Sequence, residues 1–241
     1  MKLTVAIISK FENINKQVLN SIDFSDEVII IVDSTIKKSK RIGKTTYYFR
    51  PLKNDFASQR NFALKNSRND WILFVDDDEY VSTELAKEIQ QIDLETKFVG
   101  FQIKRVDVCF HQPLLHGETG NIKLLRLAKK NVGGFVRPVH ETWKIKGGVG
   151  ELQSPLYHQK DNFIGGFIDR MTHYSGIDAD VLTKENKPFS FGRLFFNPKA
   201  KFIQNYFSRL GFLDGTVGLF LAYLMSVQSL TVRVFQWTKR N

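Results

Sequence analysis

A buried strand that ends in a run of acids is the feature that most constrains this chain. Residues 71–75 read Trp-Ile-Leu-Phe-Val, the composition of a strand buried on both faces of a sheet. Asp76, Asp77, Asp78 and Glu79 follow directly. Carboxylates this close repel one another, so the run is costly unless water or a cation neutralises it. At the C-terminal edge of a parallel sheet, these side chains would face the crevice in which open α/β folds bind ligands.

Two interpretations of this acidic run are open at this point. Oxygen-only ligands suit Mg²⁺ or Mn²⁺, so the run predicts a divalent metal site that would hold a phosphorylated ligand. A solvated loop before the next helix would have the same composition, because Ser82-Thr83-Glu84 is typical of a helix N-terminus. The sequence contains neither a P-loop nor a G-x-G-x-x-G motif, and it has no zinc-type spacing of Cys and His.

The first half of the chain alternates strands and helices. Apolar β-type runs cover residues 3–9, 27–33 and 45–49, and helical periodicity covers residues 13–22, 55–66 and 84–92. Strand, helix and strand in this order predict a right-handed crossover and hence a parallel sheet. Asp33 ends one of these strands as Asp76 ends the later one, so both carboxylates should lie at the same edge. This arrangement favours a nucleotide site at that edge.

From residue 98 onward the pattern changes to antiparallel strands. We expect strands over residues 99–108 and 121–127. We also expect a hairpin in which residues 143–145 pair with residues 150–156 across Lys146-Gly147-Gly148. These strands would add to the parallel half of the sheet.

The C-terminal part, residues 164–241, is mostly helical by pattern and ends in an apolar, aromatic-rich segment. No charged residue occurs from Gly215 to Val232, a length close to the lower limit for a membrane span. Gly218 and several polar residues dilute this stretch. We therefore expect a helix that is buried or lies on a membrane surface, rather than one that spans a bilayer.

Charge and cysteine content bound the partners and the compartment. The chain has 35 Lys and Arg against 25 Asp and Glu, a formal net charge of +10. This balance favours a polyanionic partner, which would be nucleic acid, a phosphorylated substrate or an anionic membrane surface. The single cysteine, Cys109, excludes an internal disulfide and fits a reducing compartment. Because the N-terminus lacks a signal-peptide pattern, we expect a cytoplasmic protein.

Six short segments, in order along the chain, resemble the motifs of one enzyme family. They are Ile7–Asn13, Val32–Ser34, Phe56–Leu64, Asp76–Glu79, Arg137–Glu141 and Leu210–Gly215. Together they resemble family 2 glycosyltransferases, and in particular the bacterial branch that includes the lipopolysaccharide core β-glucosyltransferases. Two positions depart from that branch: Phe11 replaces the usual Asn, and Thr35-Ile36-Lys37 replaces the usual continuation after Val-Asp-Ser.

The resemblance implies an α/β fold of the GT-A type, a Rossmann-like nucleotide-diphospho-sugar transferase with a mixed, mainly parallel central sheet. Residues 1–163 would form the catalytic domain, and residues 164–241 a helical C-terminal extension that is a candidate for membrane association. The implied reaction is inverting transfer of a sugar from a nucleotide-sugar donor, UDP-linked and metal-dependent, to a saccharide acceptor of lipopolysaccharide core or a similar cell-surface glycan. A peripheral position on the inner face of the cytoplasmic membrane would bring such an enzyme to a lipid-linked acceptor.

The resemblance also implies roles for individual residues. Asp76 and Asp78 would bind the Mg²⁺ or Mn²⁺ ion together with the donor diphosphate. The nucleotide would contact Ser9, Glu12, Asp33, Arg60 and Asp77. Lys123 and Arg126 lie where this branch carries basic residues, and they would face the diphosphate.

Sugar transfer to a hydroxyl needs a base to take the acceptor proton and neutralisation of charge on the leaving nucleoside diphosphate. The metal would supply the neutralisation. Glu141 is the expected base, because family 2 enzymes invert the anomeric centre through one carboxylate opposite the leaving group. His140 is the alternative base, or a neighbour that orients Glu141. His158 matches a further histidine position of the branch, and a structural role stays open for both histidines.

Two other functions stay open. A basic nucleic-acid-binding protein with a βαβ core would explain the net charge, but carboxylates at two strand ends would repel phosphates. A non-catalytic scaffold with a GT-A-like fold would explain the motifs that depart from the branch. The complete acidic run and the Val139-His140-Glu141 segment favour an enzyme over a scaffold.

Overall fold

Strands and helices cover most of the chain. The computed structural model describes residues 1–35, 38–93, 95–138 and 141–239. His140, the alternative base, lies outside the described residues, as do Ile36 and Lys37 of the segment that departs from the family pattern. The first six strands are β1 (Leu3–Ser9), β2 (Glu27–Val32), β3 (Lys40–Ile42), β4 (Thr45–Phe49), β5 (Trp71–Phe74) and β6 (Glu79–Val81). The others are β7 (Phe98–Cys109), β8 (Gln112–Pro113), β9 (Ile122–Lys129), β10 (Gly133–Val136), β11 (Thr142–Ile145) and β12 (Gly148–Lys160).

The helices follow the predicted order, with shifted ends. The α-helices are α1 (Lys16–Ser21), α2 (Phe56–Asn66), α3 (Thr83–Gln90), α4 (Phe163–Lys184), α5 (Phe191–Ile203) and α6 (Gly215–Thr238). A π-helical turn, Gln204–Ser208, and a 3₁₀ turn, Gly211–Asp214, connect α5 with α6. Helix α3 begins after Ser82, whose hydroxyl accepts the Leu85 N–H at 3.0 Å, so this serine is the helix cap that the sequence predicts.

The central sheet is mixed, and its centre is parallel. Its strand order is β3-β4-β2-β1-β5-β9-β7-β12-β6, with β8 paired to β7. Strands β4, β2, β1 and β5 run parallel, and Ala6 of β1 lies between Ile29 of β2 and Phe74 of β5. Strand β9 returns antiparallel to β5, and β7 and β6 also pair antiparallel with their neighbours. The expected α/β class, with a parallel centre and added antiparallel strands, is therefore observed.

The predicted pairing of residues 143–145 with residues 150–156 is wrong. Strand β11 pairs with β10 in a separate two-stranded sheet, with Gly133 opposite Ile145 and Phe135 opposite Trp143. A Cβ on Gly133 would lie 1.9 Å from the Lys144 carbonyl oxygen, so the glycine permits this close approach. Strand β12 lies instead between β7 and β6 in the central sheet, and β6 is a strand that the sequence did not predict.

Alternate residues of the parallel strands enter two separate cores, which explains why these strands are apolar throughout. In β5, Trp71 and Leu73 face one core, which α1 and α3 cover. Ile72 and Phe74 face the other core, which α2, β10 and β11 cover. The C-terminal end of β5 is thus held from both sides of the sheet.

The chain divides into two compact units. Unit 1 comprises Met1–Arg105 with Ile122–His158, and unit 2 comprises Val106–Asn121 with the chain from Gln159 onward. The predicted domain division between residues 163 and 164 stays a prediction. Unit 2 has its own small core of Cys109, Leu114, Phe163, Val217 and Leu221.

Within the described part of the chain, one segment, Gly211–Thr238, is long and apolar enough to cross a membrane by length and composition alone. A third of its most apolar window, 33%, is buried inside the protein, and core helices pass the same test.

Candidate active site

The four carboxylates of the acidic run do not share one partner. Asp77 accepts a hydrogen bond from the Ser9 hydroxyl at 2.6 Å, which joins the run to the end of β1. Asp78 is half exposed, and its Oδ2 lies 3.0 Å from Nε2 of His158. Glu79 is buried as the first residue of β6 and accepts the Asp76 N–H at 3.0 Å. The run is therefore neither a solvated loop nor a single cluster of free carboxylates.

Asp76 forms ion pairs with two arginines. Arg126 Nη2 lies 2.6 Å from its Oδ2, and Arg60 Nη2 lies 2.8 Å from its Oδ1. Burial by itself would raise the pKa of Asp76, but the charges of Arg126 and Arg60 outweigh it and hold that pKa well below its usual range. Asp76 is therefore an anion that two guanidinium groups already neutralise.

Arg126 reaches this edge from the antiparallel strand β9. It is buried, and the same Nη2 that binds Asp76 also donates to Glu79 Oε1 at 2.8 Å. Burial opposes the charged form, yet the Asp76 and Glu79 carboxylates raise the pKa of Arg126 further above its usual value. Its Nε has no hydrogen-bond partner among the described residues, so one buried N–H donor is left over at the site.

The pKa of Asp77 is shifted in the opposite direction to that of Asp76. Burial raises the pKa of Asp77, and the charges of Asp78 and Asp76 add to this effect, while the Ser9 hydrogen bond opposes it. Neighbouring carboxylates of the run thus have different electrostatic environments, because each faces a different element.

Helix α2 places three successive side chains on three different elements. The helix begins after Asp55, whose carboxylate accepts the Ser58 N–H at 2.8 Å. Gln59 binds Arg50 after β4 through its side-chain oxygen at 2.8 Å. Asn61 holds β10, since its amide accepts the Phe135 N–H at 2.8 Å and donates to the Phe135 carbonyl at 2.9 Å.

Between these two anchors, Arg60 connects the acidic run with the candidate base. Its Nη2 binds Asp76 as described, and its Nε donates to Glu141 Oε1 at 2.8 Å. The guanidinium lies 5.3 Å from the ring centre of Phe74 and 5.5 Å from that of Phe135, distances typical of cation–π contacts. The motif arginine is therefore a buried bridge with a fixed position.

Glu141 directly precedes β11, which α2 holds through Asn61 and β10. Its side chain is 17% exposed, and its Oε2 has no hydrogen-bond partner among the described residues. The backbone before it is held as well, because the Phe56 N–H donates to the Pro138 carbonyl at 2.9 Å. Arg137 adopts a left-handed conformation with φ of 73°, which is uncommon for a residue other than glycine. Strain of this kind occurs at functional sites.

Two predicted nucleotide contacts are placed further along the same edge. Asp33 follows β2, its N–H donates to the Ser9 carbonyl at 2.9 Å, and its carboxylate accepts the Leu52 N–H at 2.7 Å. Glu12 forms an ion pair with Lys40 of β3. Lys123 pairs with Glu151 at 2.5 Å and takes no part in the Asp76 cluster, unlike Arg126.

The fit of a divalent cation to these residues is partial. Within the described ranges, no three His, Cys, Asp or Glu side chains converge as a metal cluster would require. Both oxygens of Asp76 are engaged by arginines. Asp78 and His158 form a close oxygen and nitrogen pair, and both residue types are ligands for Mn²⁺ and related ions. The pair is therefore the part of the run that fits a cation.

The family resemblance indicates a place near the diphosphate for Arg126 and a matching histidine at His158, but the sequence does not predict that either residue contacts the acidic run. Strand β12 pairs antiparallel with β6, and the register sets His158 opposite Glu79. This pairing is what brings the histidine to the acidic run. A pattern of a few residues around His158 contains no signal for a partner that lies about eighty positions away in the chain.

Comparison with known proteins identifies relatives over most of the chain. An uncharacterized glycosyltransferase of Rickettsia typhi is 27% identical over 249 residues, covering 92% of this chain and 85% of that protein. LpsC of Rhizobium meliloti, a lipopolysaccharide core biosynthesis glycosyltransferase, is 25% identical over 191 residues, covering 72% of this chain and 68% of that protein. Among solved structures, S. aureus TarS 1–349 in complex with UDP aligns with 100% of this chain and 91% of that chain at 16% identity, with a TM-score of 0.48.

The family described as glycosyl transferase family 2 matches residues 8–145, which is more than half of the chain. The matched region contains the acidic run, Arg60, Arg126 and Glu141, and it includes β2, β4 and β5 of the parallel centre of the sheet. The expected α/β fold class of GT-A type and the expected transferase activity are thereby confirmed. The chain belongs to glycosyl transferase family 2.

Proposed function

We propose that this glycosyltransferase moves a sugar from a nucleotide-sugar donor, UDP-linked and with a divalent cation, to a saccharide acceptor with inversion at the anomeric centre. The observation that carries the proposal is the Arg60 bridge, which fixes the acidic strand end and the Glu141 carboxylate in one cluster. Donor binding and proton removal have to occur within one site for direct transfer.

The roles we propose follow from the surroundings of each residue. Asp33, Ser9, Asp77 and Glu12 would contact the nucleoside along the strand ends. Arg60 and Arg126 would stabilise the diphosphate through buried N–H groups, since Arg60 Nη1 and Arg126 Nε have no partner among the described residues.

Glu141 would take the proton from the acceptor hydroxyl. Arg60 engages only its Oε1, which leaves Oε2 to accept a proton. Because the arginine fixes the direction of the carboxylate, the base would need no rearrangement before it acts.

We propose that Asp78 and His158 hold the Mg²⁺ or Mn²⁺ ion, with Asp76 as a charge partner of the arginines. When bound, the cation would neutralise charge on the leaving nucleoside diphosphate. This proposal keeps Asp78 from the predicted metal pair and assigns Asp76 a different task, because its oxygens already bind two guanidinium groups.

For the acceptor we propose a saccharide of lipopolysaccharide core or a similar cell-surface glycan. The support is the partial likeness to the lipopolysaccharide core biosynthesis glycosyltransferase of Rhizobium meliloti. Such acceptors are lipid-linked, so we also propose that the enzyme works as a peripheral protein at the cytoplasmic face of a membrane. The net charge of +10 supports attraction to an anionic surface.

The test is a binding and transfer assay with a panel of nucleotide sugars, with and without Mn²⁺. Asp78→Asn should abolish the cation-dependent part of donor binding. Glu141→Gln should leave donor binding within about twofold and lower sugar transfer to a lipopolysaccharide preparation by about 10²-fold or more, because only the proton acceptor is lost.

Glu84→Gln is the matched control, since Glu84 is an exposed carboxylate in the first turn of α3 and has no place in the site. It should behave as the wild type in both assays. Full transfer activity in Glu141→Gln would assign the base elsewhere. A folded wild type that binds no nucleotide sugar would favour the scaffold alternative.

A further inference from the structure

Helix α5 in unit 2 presents its apolar side chains outward. Phe191, Phe195 and Phe196 are 67%, 62% and 71% exposed, and Ile203 one turn after Lys199 is 54% exposed. These positions recur at helical spacing and form one continuous outer stripe. A helix on a protein surface normally has the opposite arrangement, with its apolar stripe toward the core.

The inner side of α5 is the more polar one, and none of the residues of α5 is buried. Asn197 and Arg193 are half-buried, and the Ser226 hydroxyl of α6 donates to the Pro198 carbonyl at 2.8 Å. Phe202 packs on Tyr223 of α6 with ring centres 4.7 Å apart. The helix is therefore fixed to α6 without covering its own phenylalanines.

The exposed stripe continues through the turns that follow α5. Phe207, Phe212 and Leu213 are 55%, 43% and 56% exposed. These turns are held from below by Asp214, whose carboxylate accepts the His116 N–H at 2.9 Å and faces its Nδ1 at 2.7 Å. These three side chains are therefore exposed in a segment whose position is fixed, because Asp214, the residue after Leu213, is hydrogen-bonded to His116.

Charge in this segment has one sign. Residues 186–213 contain five basic residues and no Asp or Glu: Lys187, Arg193, Lys199, Lys201 and Arg209. Lys201 and Arg209 face the nearby Glu118. Arg193 and Lys199 have no carboxylate partner in the part of the chain that the structure describes.

We propose that the segment 191–213, helix α5 with the turns after it, is the membrane-contact surface of this protein, and that its partner is an anionic lipid bilayer. The outer phenylalanines would enter the boundary between headgroups and acyl chains, while the exposed Lys199 on the same side of the helix meets lipid phosphate. Exposed aromatic residues beside unpaired basic ones are the composition of a helix that lies in a membrane interface.

This inference locates the membrane association proposed above on a segment different from the one favoured by the sequence. Helix α6 also has an exposed apolar stripe, which includes Phe220 and Leu230. That stripe lacks basic residues, since no charge occurs from Gly215 to Val232. Charge complementarity with lipid phosphate therefore favours α5, whereas a second copy packed on the same segment would bring basic residues against basic residues.

The test is co-sedimentation of the full-length protein with two kinds of vesicle. One is phosphatidylcholine alone, and in the other about a third of the lipid is phosphatidylglycerol. The wild type should bind the anionic vesicles more tightly, and raising the salt from 0.1 M to 1 M should release it, because the Debye length falls from about 10 Å to about 3 Å.

Two variants separate the apolar and the charged contributions. Phe195→Ser with Phe196→Ser should weaken binding to anionic vesicles by at least about tenfold. Lys199→Glu should weaken it by roughly tenfold and reduce its dependence on salt. The matched control is Phe220→Ser with Leu230→Ser, which removes two exposed apolar side chains from α6 and should leave the salt-sensitive binding unchanged.

A second measurement reports insertion directly. Cys109 is buried, and burial raises the pKa of its thiol to about 12, so an added surface cysteine would be labelled selectively. An environment-sensitive dye on Phe196→Cys should shift to the blue when anionic vesicles are added. The same dye on Ile42→Cys, an exposed position of β3 in unit 1, should not shift.

Equal binding of the wild type to both vesicle types, or no loss in the Phe195 and Phe196 variant, would overturn the inference. Loss of binding only in the Phe220 and Leu230 variant would assign the contact to α6 and would overturn it too. A wild-type dimer that the α5 variant converts to monomers, without vesicle binding, would identify a second copy as the occupant. Nucleotide-sugar binding measured on the same samples distinguishes a failure of this inference from a failure of the proposed catalytic function.

Discussion

Arg126 is the residue whose surroundings bear most on stability at the acidic edge. It compensates Asp76 and Glu79 together, and both Arg126 and Glu79 are buried. Removing one member of such a cluster leaves a buried charge without a partner and strongly lowers the free energy of unfolding. Replacing the whole cluster by apolar residues would have a much smaller effect. The arginine therefore permits the two carboxylates to lie together at a strand end.

Arg126→Met should destabilise the folded protein by about 3–5 kcal/mol, because Asp76 loses one of two cations and Glu79 loses its main one. Urea unfolding would measure the change. Lys123→Met on the same strand is the control, since Lys123 forms only an exposed pair with Glu151 and should change stability by less than about 1 kcal/mol. Equal effects of the two substitutions would contradict the assignment.

Glu27 gives a pH-dependent prediction. Burial by itself would raise its pKa, but the Thr4 hydroxyl at 2.6 Å and the N–H groups of Arg68 outweigh it, so the pKa of Glu27 is lowered. A lowered pKa stabilises the folded protein above the unfolded-state value of 4.5 and loses this effect as the pH falls through the folded-state pKa.

Glu27→Gln should therefore destabilise the protein by about 1–3 kcal/mol at pH 7, and the difference from the wild type should vanish well below pH 4.5. Chemical unfolding at a series of pH values would measure this. A difference that stays constant with pH would show that the carboxylate charge plays no part.

At the scale of elements, a close contact between two glycines packs the start of α6 on the 3₁₀ turn that precedes it. Gly218 in the first turns of α6 packs against the Gly211 carbonyl, and a Cβ on Gly218 would lie 2.0 Å from that oxygen. Gly192 in α5 has nothing within 4 Å of the same position. The two glycines differ in surroundings although both are helical.

Gly218→Ala should destabilise unit 2 by about 1–3 kcal/mol, because backbone atoms have to move apart. Gly192→Ala should stabilise the protein by about 0.5–1 kcal/mol, since alanine has the better helix propensity. Thermal unfolding of both variants would measure the contrast. A stabilising Gly218→Ala would mean that α6 does not pack on Gly211 in solution.

At the scale of the whole molecule, the net charge of +10 is the property with the widest consequence. It attracts any polyanion, whether or not the protein has a site for it. The carboxylates at the strand ends and the family membership assign the specific chemistry to sugar transfer instead.

Short duplex DNA should therefore bind weakly and without sequence preference, and raising the salt from 50 mM to 200 mM should reduce the affinity by about 10²-fold or more. Fluorescence anisotropy with two unrelated sequences would measure this. Tight binding that differs between the sequences and persists at 200 mM salt would support the alternative of a nucleic-acid-binding protein.

The sequence by itself determined the α/β class, the order of the parallel strands and helices, and the location of the acidic edge. Those features are encoded locally, because a buried parallel strand such as residues 71–74 needs an apolar run and α2 needs its Asp55 cap. Only the tertiary structure decided which partner each charge receives. Arg126 and His158 reach the acidic run from β9 and β12, and Glu141, just before β11, is joined to it through Arg60. The pairing of β11 with β10 depends on glycines that a periodic pattern does not distinguish. Contacts between residues far apart in sequence are set by strand register and packing, and no local pattern contains them.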